Sequence, residues 1–417
     1  MLKQLAATLV QEDGSWRARH GHWVLDSHFQ PVFSFPHRRA VGYEALLRVS
    51  NSAGELAPPL TFFEQLGSFE AQWAADRLCR LLHAHNFVHQ AGDIGWLFLN
   101  IHPAVFVHGA MQQQALDASV RTVQALGLPM HRLVLEVTED VMAQEADFER
   151  AVAAVRETGC LLALDDFGAG HSNFDRIWHI HPEIVKLDRS LLRRATGSPR
   201  IARVLAQMVS LLHECGSLVL LEGVETRDEA LLALDVDVDL VQGFVFGRPV
   251  PGTLGPRGAS EEIDEIWALL DERHALSRVA NDARVSPYRQ ALKEAQSRLA
   301  AQPREQACAG LLAMPGVQVA FVLDEQGRHV AEPMLPPGRQ PWQADVRFEP
   351  LGLPSEARWA RRPYFRRALD EPGVVQMTRP YLSLLGARMC VTLSVAVPVQ
   401  GRLQVLCVDI DWVSDPA

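Results

Sequence analysis

One short segment decides how this chain folds: residues 161–168 read LLALDDFG. Its first four residues are apolar without interruption, and two aspartates follow directly. An uninterrupted apolar run indicates a strand that is buried on both faces, which is typical of parallel sheets covered by helices. The two aspartates at the end of this run are therefore candidates for a cation site.

The same pattern recurs through residues 28–250, where helix-like stretches separate the apolar runs. Five further runs end in a polar residue: WLFLN (96–100), LVLE (133–136), IVKLD (184–188), LVLLE (218–222) and LVQ (240–242). Helical periodicity is clearest in residues 144–157, 200–214 and 227–234. With apolar runs at 32–35 and 43–47, the total of about eight strands favours a TIM-like (β/α)8 barrel. An open doubly wound sheet is the alternative.

The polar strand ends predict a shared site. In a barrel, the carboxyl ends of the strands form one mouth, so these side chains would converge. Several carboxylates in one cavity repel one another, and hard divalent cations between them relieve that repulsion. For any single residue the alternative is that an Asp or Glu at a strand end caps the next helix.

The composition excludes several classes of protein. A formal net charge of −10 argues against nonspecific binding to DNA, RNA or an anionic membrane surface. Six scattered cysteines without a Cys-x-x-Cys pair predict reduced thiols and no zinc site. No apolar run reaches the roughly 18 residues of a membrane helix, and no signal peptide is evident. We therefore expect a cytoplasmic protein without a membrane span.

The strand ends resemble one known family, the EAL-domain cyclic di-GMP phosphodiesterases. The resemblance covers about residues 24–252 and depends on motifs that occur in the order of the family. These motifs are EALLR (44–48), LNIHP (99–103), LEVTE (135–139), DDFGAG (165–170), VKLD (185–188), EGVE (222–225) and QGFVFGRPVP (242–251). A three-residue EAL match is common by chance, whereas the ordered set is specific.

The resemblance implies that the barrel hydrolyses cyclic di-GMP to linear pGpG with two divalent cations per site, Mg²⁺ or Mn²⁺. Oxygen-only ligands favour these ions over zinc. By similarity, one cation is assigned to Glu44, Asn100, Glu136 and Asp165, and the second to Asp165, Asp166 and Glu222. Two cations about 4 Å apart can orient a water and stabilise an in-line displacement.

Three residues are expected to act in catalysis by the same resemblance. Lys186 would stay charged among the carboxylates and stabilise hydroxide or the charge that develops on the phosphate. Glu222 is the candidate general base, with metal ligation as the alternative. Glu139 is expected to anchor the glycine-containing loop after the aspartate pair, with helix capping as its alternative.

Four further residues are expected to contact the substrate. Arg48 offers forked donors to a phosphate, and a surface salt bridge is its alternative. Gln30 and Gln242 resemble ligand-contacting glutamines of the family, and Asp188 is expected to contact the waters of the site or Lys186.

The residues after the barrel predict a second module. We expect the barrel in residues 1–255, a helical connector in 256–304 and a smaller α+β PAS-like sensory domain in 305–417. The connector shows helical periodicity that resumes after Pro287. Residues 317–324 read as a strand, and 389–400 with 402–411 read as a hairpin.

The second module resembles PAS-like or Cache-type sensory domains in the pieces RPYF (362–365), RPYLS (379–383) and VDID (408–411). Arg362, Tyr364, Tyr381 and Asp409 are candidates to line a pocket for an unknown small ligand, with plain packing of the sheet as the alternative. A homodimer is expected because it is common in such architectures. The leading functional hypothesis is an active phosphodiesterase under the control of this module, and the alternative is a cyclic di-GMP receptor that does not hydrolyse it.

Overall fold

The computed structural model describes residues 8–12, 14–91, 95–138, 145–170, 174–252, 260–338, 357–383 and 389–412. The chain forms two compact units, Met1–Arg273 and His274–Ala417. The division falls inside the segment 256–304, for which the sequence predicts a helical connector. Among the described residues, no helix has the length and apolar character needed to cross a membrane.

The first unit contains one sheet with helices between its later strands. The strands are β1 Leu9–Glu12, β2 Ser15–His20, β3 Trp23–Ser34, β4 Arg39–Asn51, β5 Leu56–Ala57, β6 Trp96–Asn100, β7 Leu133–Thr138, β8 Leu161–Phe167, β9 Ile184–Leu187, β10 Leu218–Leu221 and β11 Leu240–Val241. The helices are α1 Pro59–Glu64, α2 Phe69–Ala91, α3 Pro103–Met111, α4 Gln113–Ala125, α5 Glu145–Glu157, α6 Phe174–Ile180, α7 Arg189–Thr196, α8 Pro199–Glu214 and α9 Arg227–Asp235, with a 3₁₀ turn at Met130–Arg132. The predicted helices 144–157, 200–214 and 227–234 are confirmed as α5, α8 and α9.

The predicted barrel is confirmed. Its strands follow the order β3-β11-β10-β9-β8-β7-β6-β4, and pairing of β3 with β4 closes the cycle. Seven of these strands place one buried apolar side chain each in a common cluster: Val32, Phe98, Val134, Ala163, Ile184, Leu220 and Leu240. Such a layer of side chains fills the interior of a small barrel, so the functional groups lie above a packed core.

One strand departs from the predicted all-parallel arrangement. Strand β3 pairs antiparallel with both β4 and β11, whereas the other neighbours in the cycle are parallel. Only residues 35–38 connect β3 to β4. A parallel crossover requires about a dozen residues, so this short connection permits a hairpin alone. The register of the hairpin places Gln30 opposite Glu44.

The second unit contains an antiparallel sheet with the order β12-β16-β15-β13 and with β14 also paired to β15. Its elements are α11 Arg304–Ala307, α12 Ala309–Leu312, β12 Val317–Leu323, α13 Pro363–Asp370, β13 Gln376–Met377, β14 Tyr381–Leu382, β15 Met389–Val399 and β16 Arg402–Asp411. The predicted strand and hairpin are confirmed as β12 and β15–β16. Gln400 and Gly401 both have positive φ, as a tight two-residue hairpin turn requires.

The helix α10, Ser260–Leu299, precedes this sheet and runs without a break through Pro287. The sequence predicts a restart of the helix at this proline, and the structure shows one helix. Val285 and Leu292, on either side of the proline, are both buried in the core of the second unit. Burial of that helical face offsets the lost backbone hydrogen bond.

Candidate active site

The parallel strands of the barrel present polar side chains at their carboxyl ends. Asn100 ends β6 and lies opposite Glu136 of β7 in the strand register. Asp165 lies near the end of β8 and Lys186 near the end of β9. Glu222 and Gln242 follow directly after β10 and β11. The fold therefore brings together groups that are far apart in the chain.

The ammonium of Lys186 is the centre of this arrangement. Its Nζ lies 2.6 Å from Oε1 of Glu222 and 2.7 Å from Oε1 of Glu136. It also lies 3.1 Å from Oδ1 of Asp165 and 3.9 Å from Oε2 of Glu44. The side chain of Lys186 is 1% exposed. One buried cation thus faces four carboxylates, which leaves an excess of negative charge in the cluster.

Two amide side chains orient Glu44. Nδ2 of Asn100 donates to Oε1 at 2.7 Å, and Nε2 of Gln242 donates to Oε2 at 2.8 Å. A hydrogen bond to each oxygen fixes the rotamer of this side chain. Glu44 therefore enters the site as an oriented acceptor, held by residues 56 and 198 positions away in the chain.

Glu136 has little compensation for its burial. Within the described part of the chain, Oε1 meets the Lys186 ammonium at 2.7 Å, and no hydrogen-bond donor reaches Oε2. Burial raises the pKa of Glu136 well above its ordinary value, and Glu44 and Asp165 add to the shift while Lys186 opposes it. A buried carboxylate in this state is stabilised by additional positive charge.

The same burial and neighbouring charges shift the pKa values of Glu222 and Lys186. Burial raises the pKa of Glu222 to about 7, with Lys186 opposing the shift and Asp165 and Glu44 adding to it. Burial alone would lower the pKa of Lys186, but the surrounding carboxylates raise it well above its ordinary value. Lys186 is therefore an ammonium at neutral pH.

Asp165, Asp166 and Glu222 form a group with the geometry of a cation site. One oxygen from each lies within 4.8 Å of the other two. Adjacent residues of a regular strand point to opposite faces, but Asp166 has a φ of 58° and the ladder between β8 and β9 is irregular at this point. The left-handed residue breaks the alternation, so both aspartates reach the same mouth.

A cavity of about 390 Å³ opens at this mouth. Six of the predicted site residues line it: Gln30, Glu44, Asp166, Asp188, Glu222 and Gln242. Arg48 is not among the described lining residues, and its guanidinium donates to the carbonyl oxygen of Leu47 at 3.1 Å. Asp188 caps α7 by accepting from the backbone N–H of Ser190 at 2.9 Å. Glu139 lies outside the described residues.

Arg189 and Phe244 are among the lining residues that were not predicted as site residues. Phe244 is 43% exposed, and the guanidinium of Arg248 lies 4.1 Å from the centre of its ring. In the sequence, these two residues could have been predicted only from their position next to motifs, because Arg189 follows the VKLD motif and Phe244 stands two residues after Gln242. An exposed ring and a cation at the rim suit a planar, anionic ligand.

Comparison with curated proteins identifies relatives of the barrel. RocR of Pseudomonas aeruginosa, named as a cyclic di-GMP phosphodiesterase, is 26% identical over 235 residues, which cover 54% of this chain and 58% of RocR. The signaling protein YkoW of Bacillus subtilis is 28% identical over 231 residues, covering 54% of this chain and 28% of YkoW. The chain thus spans less than two thirds of the length of either relative.

Comparison with solved structures extends the likeness beyond the barrel. The YkuI protein of Bacillus subtilis, solved with cyclic di-GMP and calcium, has a TM-score of 0.78 over 94% of this chain and 97% of its own. At 19% identity, that match shows the fold. BlrP1 of Klebsiella pneumoniae, in a calcium and cyclic di-GMP complex, is 27% identical with a TM-score of 0.50, covering 55% of this chain and 57% of its own.

The family model described as the EAL domain matches residues 19–249, which is more than half of the chain. The match contains the whole closed cycle of strands from β3 to β11. This chain belongs to the EAL domain family.

Proposed function

We propose that the barrel hydrolyses cyclic di-GMP to linear pGpG by opening one phosphodiester bond. The single observation that carries the proposal is the cluster of Glu44, Glu136, Asp165 and Glu222 around Lys186 at the mouth of the barrel. The named activity of RocR and the cyclic di-GMP complex of BlrP1 support the choice of substrate. The barrel fold itself serves many reactions, so the residues at its mouth and not the fold support this function.

The donors present fit divalent cations. Every acidic group of the cluster offers oxygen, which suits Mg²⁺ or Mn²⁺, and Oε2 of Glu136 is buried without a hydrogen-bond donor among the described residues. We assign one cation to Glu44, Asn100, Glu136 and Asp165, and a second to Asp165 and Asp166, with Glu222 as a further ligand of the second cation in its alternative role. Bound there, two cations would lower the pKa of a water and neutralise charge on the phosphate.

Lys186 is proposed to hold positive charge beside the reacting phosphate. It stays protonated because the carboxylates around it raise its pKa, and it is fixed by contacts of 2.6 and 2.7 Å to two of them. A fixed charge stabilises a developing anion without reorganisation. Glu222 is proposed to accept the proton of the attacking water, with metal ligation as its alternative role. Its carboxylate lines the cavity, where a bound water could donate to it.

The rim residues are proposed to bind the substrate. Arg189 supplies positive charge for a phosphate, and the exposed face of Phe244 suits stacking of a guanine base. Gln30 lines the same cavity and can contact the ligand through its amide. Gln242 is also proposed to orient Glu44, because it donates to that carboxylate. Contacts from Arg48 to a phosphate and from Asp188 to the waters of the site remain predictions, as does the anchoring role of Glu139.

Hydrolysis of cyclic di-GMP by the purified full chain tests the proposal. With Mg²⁺ or Mn²⁺, separation of the products should show pGpG, and Asp165→Asn or Glu44→Ala should abolish it. Asp228→Asn is the matched control because Asp228 is an exposed carboxylate in the first turn of α9. Binding without hydrolysis would support the receptor alternative, and absence of both would contradict the assignment of this substrate.

The second unit and the oligomeric state are the subject of two further proposals. The second unit is proposed to be a PAS-like domain that controls the barrel, and the chain is proposed to form a homodimer. Size-exclusion chromatography with light scattering measures the second of these directly. The cytoplasmic location remains a prediction from the sequence.

A further inference from the structure

Another cavity of the first unit lies between the barrel wall and the helices that cover it. Strands β6 and β7 contribute Leu99 and Leu135 to its lining, whereas the adjacent residues Phe98 and Val134 fill the barrel interior. Successive side chains of a strand point to opposite faces, so this cavity lies on the outer face of the sheet. None of its described lining residues also lines the cavity at the barrel mouth.

Most of the wall of this outer cavity is apolar. Helix α4 contributes Leu116, Val120 and Val123, whose spacing places them on one helical face, and α3 contributes Phe106. The cavity has a volume of about 100 Å³, or about 850 Å³ with its opening to solvent included. An apolar cavity of comparable size excludes water and accepts a small apolar molecule.

Helix α2 supplies the charged part of the wall. Trp73, Arg77 and Arg80 all line the cavity, and their spacing places them on one helical face. Arg80 forms an ion pair with Asp76, in which Nη2 lies 2.6 Å from Oδ2. Two guanidinium groups of this wall therefore lie beside one carboxylate.

Arg77 lacks a partner of this kind. It is 6% exposed, and no ion pair of the described residues includes it. Its guanidinium lies 5.2 Å from the centre of the Trp73 ring, and its Nε is buried without a hydrogen-bond partner within the residues that the structure covers. A buried guanidinium stays charged, and leaving it without an anion is destabilising. Arg77 is therefore a buried cation beside an apolar cavity.

We propose that this cavity binds a short-chain aliphatic monocarboxylate, with the carboxylate on Arg77 and the hydrocarbon tail against the apolar wall. The forked donors of a guanidinium match the two oxygens of a carboxylate. The apolar side chains of the strands and of α3 and α4 favour the tail. An amine would instead be repelled by Arg77 and Arg80.

The volume of the cavity limits the length of the tail. An apolar cavity of about 150 Å³ accepts benzene, so a space of about 100 Å³ suits a tail of roughly three or four carbon atoms. Each methylene group that is buried should raise the affinity about fourfold. We therefore expect affinity to rise from acetate to butyrate or pentanoate and to stop rising in longer acids.

Calorimetric titration of the full chain with straight-chain acids at millimolar concentration tests this expectation without any measurement of hydrolysis. The titrations are made in EDTA, because bound cations at the barrel mouth would otherwise attract a carboxylate there. Butyramide and butylamine are the matched ligands without the negative charge. Both should bind about tenfold or more weakly than butyrate, as for the loss of a hydrogen bond between charged groups.

Three variants locate the binding. Arg77→Met should weaken butyrate binding about tenfold or more, and Val120→Phe should block it by filling the cavity. Arg121→Met is the matched control, because Arg121 is an exposed residue of α4 outside the described cavity wall. If Arg77→Met does not fold, judged by circular dichroism, Val120→Phe decides.

The competing explanation is that Arg77 serves only the fold, through its contact with the Trp73 ring. That explanation predicts no preference for a carboxylate and no binding that Val120→Phe removes. Absence of binding by every acid, equal affinity for butyrate and butyramide, or unchanged butyrate affinity in folded Arg77→Met or Val120→Phe would overturn the proposal.

Discussion

Replacement of Lys186 by methionine tests the electrostatic account of the barrel mouth. Methionine has a similar length and no charge, so it removes the ammonium while filling most of its space. The ammonium is 1% exposed and lies within 3.1 Å of oxygens of Glu136, Asp165 and Glu222. Without it, these carboxylates would face one another in a site largely shielded from water.

The expected size of the effect follows from the burial. Removal of one partner from a buried ion pair destabilises a protein by about 3–5 kcal/mol. A change of 1 kcal/mol shifts the melting temperature of a domain of about 150–250 residues by roughly 2–4 °C. In the presence of a chelator, the barrel of Lys186→Met should therefore melt about 6–20 °C below the wild-type barrel.

The destabilisation should also depend on pH. Burial raises the pKa of Glu136 and of Glu222, and Lys186 opposes both shifts. Removal of the Lys186 ammonium should therefore raise both pKa values further. A carboxyl whose pKa is raised by folding contributes stability that is present below its unfolded pKa and is lost as the pH rises through its folded pKa. The difference between Lys186→Met and wild type should therefore be larger at pH 8 than at pH 5.

Differential scanning calorimetry in EDTA at both pH values measures these differences. Lys293→Met is the matched control, because Lys293 is an exposed lysine of α10 and its replacement should leave the melting temperature within about 2 °C. A Lys186→Met barrel that melts within about 2 °C of wild type at pH 8 would show that the ammonium does not stabilise the carboxylate cluster.

Three further predictions concern the cations, the rim and the second unit. Chelation of divalent cations should abolish hydrolysis. Mg²⁺ at about 100 times its Kd should stabilise the barrel by about 2.7 kcal/mol. In a titration of the melting temperature with Mg²⁺, Asp166→Asn should show a smaller stabilisation than wild type. Phe244→Ala should raise KM for cyclic di-GMP by roughly 5- to 150-fold, as the loss of one base stack predicts. Val204→Ala, which changes an exposed apolar residue on α8, is the control and should leave KM unchanged. An unchanged KM for Phe244→Ala in steady-state assays would exclude stacking. Folding raises the pKa of Asp409 from 3.8 to about 6, so stability that is present below pH 3.8 is lost as the pH rises through 6. At pH 8, Asp409→Asn should therefore be more stable than wild type by up to about 3 kcal/mol. Urea unfolding should show that the variant loses this advantage at acid pH.

Most of the barrel could be predicted from the sequence because a buried strand requires apolar residues at consecutive positions of the chain. A strand covered by helices on both sides must be apolar at consecutive positions, and segments such as 161–164 carry this pattern. The polar residues that end these strands then share a mouth as a consequence of topology. The membership of Glu44, Glu136, Asp165, Lys186 and Glu222 in one cluster followed from this rule and from the family motifs.

The direction of individual strands and side chains depended on tertiary structure. The antiparallel course of β3 follows from the short connection at residues 35–38, which the apolar pattern does not express. The left-handed backbone at Asp166 turns its carboxylate toward Asp165, against the alternation that a regular strand imposes. Arg48 shares a strand with Glu44, yet it is not among the described lining residues of the cavity.

The barrel, the order of the polar strand ends and a second α+β unit could be predicted from the hydrophobic period and the motifs, because these signals lie in residues that are close together in the chain. Which charges meet depends on the three-dimensional fold. The contacts of Lys186 with four carboxylates and the pairing of Glu44 with Asn100 and Gln242 join residues from separate strands. Electrostatic energies depend on distance and burial in three dimensions, and neither quantity is written in the spacing of residues along the chain.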